Sequence, residues 1–222
     1  MSGESSKLSK EELREDEFVE WIMQAADYVK ERAQLFIGGL VVFVLLILGI
    51  NYIIESQEQA KVEAASRLGD LLMAEEEGDA AGVISIAEDL ISRFDGTPAA
   101  AQGVLVLANR YFAQENFAEG QRLYEKYLED YGQSEILVFG AWSGLASCLE
   151  AQGQTTAAAE KYLEFATGHP QSLQAAMAVW EAARCYGQLG DISRQKELLE
   201  RVMRDFPELP LAARAKASLA MF

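Results

Sequence analysis

Apolar residues follow three different rhythms along this chain. From Leu35 to Ile54 the stretch LFIGGLVVFVLLILGINYII contains no charged residue. A helix of about 20 residues that is apolar all round matches the hydrocarbon thickness of a bilayer. Leu35, Val41, Leu45 and Ile50 are therefore expected to face lipid in a single span. Upstream, Ser9-Lys10-Glu11-Glu12 reads as a capping box, and Phe18, Trp21, Ile22, Ala25, Tyr28 and Val29 recur at three- and four-residue steps. That pattern predicts an amphipathic helix. No proline precedes Pro98, so helix is expected to run on past Glu55, with Gly38-Gly39 as its weak point.

A cleaved signal peptide would place a shorter apolar run near the amino terminus and follow it with a small-residue cleavage site. Here 34 residues come first, which favours an uncleaved signal anchor over a cleaved leader, and over a core helix that the amphipathic remainder could not surround. Lys30 and Arg32 precede the span, whereas Glu55 and Glu58 follow it, with Lys61 further out. This bias places the amino terminus in the cytoplasm and the rest of the chain outside it, in the periplasm of a double-membraned bacterium. The acids Glu11, Glu12, Glu15, Asp16, Glu17 and Glu20 argue against direct binding to anionic lipid. The leading helix then either docks on a protein or merely extends the span.

Beyond the span the sequence repeats. Trp142, Leu145, Ala146 and Leu149, followed by Gly153, Ala158, Tyr162, Phe165 and Pro170, have the spacing of one tetratricopeptide (TPR) unit. Ala108, Tyr111, Gly120, Tyr124 and Tyr127 stand in the same register one unit earlier, and Ala183, Tyr186, Leu199, Val202 and Pro207 one unit later. A weaker copy precedes them at Leu71, Ala74, Val83, Ala87 and Leu90. The turn positions Gly78, Glu115, Gly153 and Gly190 are 37, 38 and 37 residues apart, slightly more than the basic period of about 34. Small residues let the two helices of a unit approach, and a helix from Leu211 to Met221 would cap the last one. The expected fold is all-α: an N-terminal transmembrane helix, then a TPR-like α-solenoid of about four helical hairpins with a C-terminal capping helix. The expected divisions are a cytoplasmic segment 1–34, an anchor 35–54, a helical connector 55–63 and a repeat domain 64–222.

Charge and composition narrow the chemistry. A net charge of -16 would be repelled by a phosphate backbone, which speaks against nucleic acid. One histidine, His169, and two cysteines, Cys148 and Cys185, cannot supply the usual four ligands of a zinc site. Glu75-Glu76-Glu77 lacks the alternating oxygen ligands of a calcium loop and reads as a solvated run. No nucleophile has a basic partner at a recognisable spacing. No enzyme, cofactor or metal is therefore expected. The cysteines occupy equivalent places in consecutive units. Stacked helices lie about 8 to 10 Å apart, too far for a disulfide, so free buried thiols are expected.

The layout of short cytoplasmic segment, span and TPR array, and the stretch from Phe18 to Leu72, resemble the YfgM-like family of ancillary Sec translocon subunits. The repeat period is also similar to that of outer-membrane assembly lipoproteins, although no lipidated cysteine follows an early signal. The resemblance implies a single-pass protein of the bacterial inner membrane whose periplasmic domain binds the translocon, periplasmic chaperones or newly exported clients. It carries no catalytic residues. In TPR units the first helices line a groove, which here gives Leu105, Asn109, Phe112, Ser143, Ser147, Met177, Trp180 and Arg184 as candidate peptide contacts, with Gln102, Glu150 and Gln188 beside them. Trp180, Met177 and Leu105 could equally pack against neighbouring helices. Two other readings stay open: a structural subunit of another inner-membrane complex, and a cytoplasm-facing TPR scaffold of opposite topology.

Overall fold

The computed structural model describes residues 21–23, 33–132 and 134–222. Of the leading amphipathic helix only Trp21, Ile22 and Met23 are described, as exposed helix. Phe18, Ala25, Tyr28, Val29, Lys30 and Arg32 lie outside the described residues. Every regular element described is an α-helix. The chain divides into two compact units, Met1–Glu58 and Gln59–Phe222.

Helix α1, Ala33–Glu76, begins in the first unit and ends in the second. It passes Gly38-Gly39 without a break, since each residue of a helix interior gains its hydrogen bond whether or not a side chain is present. Its most apolar 18-residue stretch has a mean hydropathy of 2.6 and is buried nowhere. Leu35, Val41, Leu45 and Ile50 are between 52% and 71% exposed. Burial of such a surface is worth about 25 cal/mol per Å², and among the described residues nothing covers it. This helix is long and apolar enough to cross a membrane, consistent with a single-pass anchor.

The second unit is a stack of helical hairpins. The end of α1 pairs with α2 (Ala80–Arg93); α3 (Pro98–Ala113) pairs with α4 (Phe117–Asp130), α5 (Glu135–Ala151) with α6 (Thr155–Gly168), and α7 (Leu173–Gln188) with α8 (Ile192–Asp205). A last helix, α9 (Pro210–Leu219), packs on α8 and touches α7. Local chemistry sets these boundaries. Asp79, Thr97, Asn116, Ser172 and Asp191 each accept a hydrogen bond from a backbone amide in the first turn that follows, which satisfies an otherwise orphaned donor. Pro98 and Pro210 open their helices, where a missing N–H costs nothing.

The four hairpin turns are built alike. After each first helix one residue adopts positive φ: Gly78 at 75°, Glu115 at 61°, Gly153 at 77° and Gly190 at 75°. The following amide reaches back to a carbonyl five residues earlier: Asp79 to Ala74, Asn116 to Tyr111, Gln154 to Leu149 and Asp191 to Tyr186, at 2.8 to 2.9 Å. This is the left-handed closure that frees a helix from unpaired carbonyls.

Successive hairpins share one continuous core. Leu71, Leu90, Val104, Tyr127, Phe165, Val179 and Val202 are fully or almost fully buried in it. Alanines carry the close contacts, among them Ala108, Ala146, Ala158 and Ala183. A methyl group at Gly120 would lie 3.3 Å from Cys148 Sγ and 3.4 Å from the Ala108 carbonyl, so hydrogen there is what lets α4 sit down on α3 and α5. His169, beyond the end of α6, stacks on Phe165 with ring centroids 4.6 Å apart, which gives the single histidine a packing role. Among the described residues α3 touches α5, α5 touches α7 and α7 touches α9, whereas no two second helices touch. A stack whose first helices are the more closely spaced curves toward them. They form its inner face.

Candidate partner-binding face

Counting from the turns, the inner face receives one stripe from each first helix. Leu105, Asn109 and Phe112 come from α3, Ser143 and Ser147 from α5, and Met177, Trp180 and Arg184 from α7. The stripe on α7 follows i, i+3 and i+7, the spacing of a single helix face. Seven of the eight carry no charge.

On α3, Asn109 is exposed and Leu105 half-buried. The Tyr124 hydroxyl, coming through from α4, donates to Asn109 Oδ1 at 2.6 Å, and burial pushes the Tyr124 phenol up to about 12. The Tyr124 ring lies where a side chain at Gly144 of α5 would be, 2.3 Å from an added Cβ. Gln102, Leu105, Asn109, Tyr124 and Gly140 border a cleft of about 270 Å³. Phe112 is half-buried and meets Phe117 edge-on, with centroids 5.4 Å apart.

On α5, Ser143 and Ser147 stand near the Tyr162 hydroxyl, whose pKa is raised by burial and drawn back by these two side chains. One tyrosine from each of α4 and α6 thus underlies the polar groups of this face. Beyond them, Arg184 of α7 forms a bidentate pair with Glu150 of α5 at 2.7 and 2.9 Å, and its Nε donates to Glu181 at 2.6 Å. The hydrogen bonds to Glu150 hold the guanidinium well above the ordinary arginine range. Such a fork is directional, and here it ties one first helix to the next instead of offering a free cation.

At the far end Trp180 is half-buried and packs on the core, with Arg214 of α9 stacked over its ring at 4.9 Å. Met177 beside it is 51% exposed. Trp180, Arg184, Gln188, Gln195, Arg214 and Ser218 surround a cleft of about 570 Å³. Trp180 thus belongs to both the face and the packing beneath it. Tyr124 and Arg214 were not among the residues expected at this face. A register argument places a residue on a helix but cannot say that its tip passes between two others, or that a terminal helix folds over its neighbour.

The repeat-signature residues fall elsewhere. Leu145, Ala146, Ala158, Tyr162 and Ala183 are buried. Trp142 and Tyr186 are half-buried against the core, each with a cation over its ring: Lys161 at 5.4 Å and Arg194 at 5.9 Å. Pro170 and Pro207 are exposed between hairpins. Cys148 and Cys185 are buried and free, and burial raises their thiols to about 11 and about 12. Among the described residues no group of three His, Cys, Asp or Glu side chains could hold a metal ion.

Residues 27–161 match the family described as the tetratricopeptide repeat-like domain. The chain belongs to this family. No curated protein matches it. Among solved structures it is similar to a TPR protein from Parabacteroides merdae, at 16% identity and a TM-score of 0.55, over 72% of this chain and 59% of that one. It is also similar to BtubC from P. vanneervenii, at 13% identity and 0.54, over 74% and 82%, and to pilF of Pseudomonas aeruginosa, at 16% and 0.51, over 75% and 70%. These likenesses show the TPR fold alone, and with the family match no catalytic family is indicated.

Proposed function

We propose that this TPR protein is a membrane-tethered adaptor of the bacterial cell envelope, anchored by the start of α1 with its repeat domain in the periplasm, and that its inner face grips segments of other polypeptides near the Sec translocon. The observation that supports it most is that one chain carries both an exposed apolar helix able to span a bilayer and a repeat face of half-buried aromatic and uncharged polar groups. Mixed faces of this kind hold extended or helical peptides without demanding one sequence. The resemblance to ancillary translocon subunits supplies the setting, and the positive flank of the span supplies the orientation.

The test places a photocrosslinking amino acid at exposed Asn109 or Met177 on the inner face, and at exposed Glu160 on the back of α6, in membranes of an actively exporting cell. Adducts with translocon subunits or newly exported chains are expected from the first two positions and not from the third. Equal adducts from all three, or none, would sink the reading. A reporter active only in the periplasm, fused after Phe222, checks the orientation separately.

A further inference from the structure

The inner face carries one cleft in two copies, two repeats apart, and the second copy is built differently. Leu105, Asn109 and Tyr124 border the first, ten and six residues before Glu115 and nine after it. Trp180, Arg184 and Leu199 border the second at the same offsets from Gly190. The next first helix closes each, with Gly140 of α5 in one and Arg214 of α9 in the other. The volumes are about 270 and about 570 Å³. The larger falls within the range of roughly 300 to 1,000 Å³ in which proteins enclose ligand groups.

Two exchanges make the second copy distinct. Tyr124 sends a ring and a hydroxyl between α3 and α5, whereas the shorter Leu199 leaves that space open. Gly140 offers no side chain, whereas Arg214 lays a guanidinium over Trp180, 4.9 Å from the ring centre. An arginine stacked in this way is held by its flat face and keeps its edge N–H donors for an acceptor. Arg214 is exposed, and among the described residues no carboxylate pairs with it. Arg184 on the opposite wall is already engaged, since Glu150 takes its fork and Glu181 its Nε. Two carboxylates on one guanidinium leave that wall one negative charge over. Arg110 of α3 also lacks an ion pair and has a buried Nε without a partner, but it borders neither cleft. An anion entering the larger cleft is therefore drawn to its α9 wall.

We infer that the cleft between α7 and α9 receives a carboxylate of the bound polypeptide together with the apolar side chain beside it. Arg214 takes the carboxylate on its N–H edge, a directional charge-assisted contact, and the apolar group fills the room over Leu199. Gln188, Gln195 and Ser218 stand around the cleft as uncharged donors. The carboxylate belongs to an acidic side chain or to a chain end. This rests on the peptide-binding reading above and adds to it the chemistry of one anchor point.

The experiment measures fluorescence anisotropy of the full chain in mild detergent with four labelled 15-residue peptides, at an ionic strength of about 0.15 M that screens charges more than about 8 Å away. All four share the same Leu and Phe residues. Three are amidated at the carboxyl end and differ at one central position, Glu, Gln or Lys; the fourth has the central Gln and a free terminal carboxylate. At least one carboxylate peptide is expected to bind about tenfold more tightly than the amidated Gln peptide, a difference of roughly 1.4 kcal/mol, and which of the two does so identifies the source. The Lys peptide should bind most weakly, against the direction set by the net charge of -16. Arg214→Gln should abolish the preference with the unfolding temperature nearly unchanged, and Arg214→Lys, which keeps the charge and loses the fork, should retain only part of it. Equal binding of the carboxylate and amidated Gln peptides, tighter binding of the Lys peptide, or a preference undiminished by either substitution overturns the carboxylate inference and leaves the groove intact. No binding by any of the four peptides overturns the groove reading itself.

Discussion

Between Ile37 and Ile54 every described side chain of α1 is exposed and none is charged, whereas between Gln59 and Glu76 only Ala64, Leu71 and Ala74 are buried, at steps of seven and three. The other positions of that second stretch mix exposed Val62, Leu72 and Met73 with charged groups, of which Arg67 pairs with Asp70 and with Asp89 of α2, and Glu63 with Arg93. The two stretches belong to one helix with an unbroken hydrogen-bond ladder, so backbone propensity does not distinguish them. What differs is the solvent each was composed for. An all-round apolar surface is stable only in hydrocarbon, and a narrow apolar stripe is stable against one protein neighbour. The first stretch is therefore tolerant of shape and intolerant of charge, and the second is the reverse.

The largest expected effect tests this contrast directly. Leu71→Ala, in a fully buried position, should cost about 3 to 5 kcal/mol of repeat-domain stability, read by thermal unfolding of the full chain in detergent. Leu45→Ala in the span should leave that transition unmoved, and an equal loss at both positions would break the distinction. Next comes charge: Leu45→Arg should oppose membrane insertion by about 3 kcal/mol, read as the fraction of chain extracted from membranes by alkaline carbonate, with the unfolding of the repeats unaltered. Volume gives a smaller effect. Gly144→Ala drives a methyl group into the Tyr124 ring and should cost about 1 to 3 kcal/mol. Gly39→Ala in the span meets nothing within 4 Å and should be silent in the same melt.

The smallest effect is a pH dependence confined to the repeats. Burial raises the Cys148 and Cys185 thiols from 9.0 to about 11 and about 12, and Tyr124 and Tyr131 from 10.0 to about 12. These groups are neutral when protonated, so folding favours the protonated form. Their contribution is complete below about pH 9 and is lost as pH rises toward 12. The unfolding temperature of the repeat domain should therefore fall progressively across that window. A flat profile would show that these groups reach water without unfolding.

Periodicity alone made much of this fold legible. The 37- and 38-residue spacing of Gly78, Glu115, Gly153 and Gly190 located the four hairpin turns, three of them by the glycine that a positive φ favours and Glu115 by the period alone. The long apolar helix was legible because Leu35 to Ile54 carry no charge on any side. Contacts between repeats left no such trace. The Arg184 fork to Glu150 joins residues 34 apart, and the Tyr131 hydroxyl donates to Asp95 across 36, where it lowers the carboxyl pKa. Each is one of many pairings that the spacing permits. The stacking of Arg214 on Trp180 was hidden because it depends on how α9 folds back. It changes what Trp180→Ala would report: the substitution removes packing together with a face residue, so Asn109 and Met177 are the cleaner probes of binding.

The placement of Cys148 in the third hairpin and Cys185 in the fourth, both sealed in the core, equips the stack with its own clock. Each hairpin leans mainly on its immediate neighbours, so opening can spread from an end instead of striking the whole array at once. A thiol reagent then records the sequence of events. Fraying from the α9 end would uncover Cys185 first, whereas a wave starting from the α1 end would reach Cys148 first. The order in which the two sulfurs become labelled would show from which end the array comes apart.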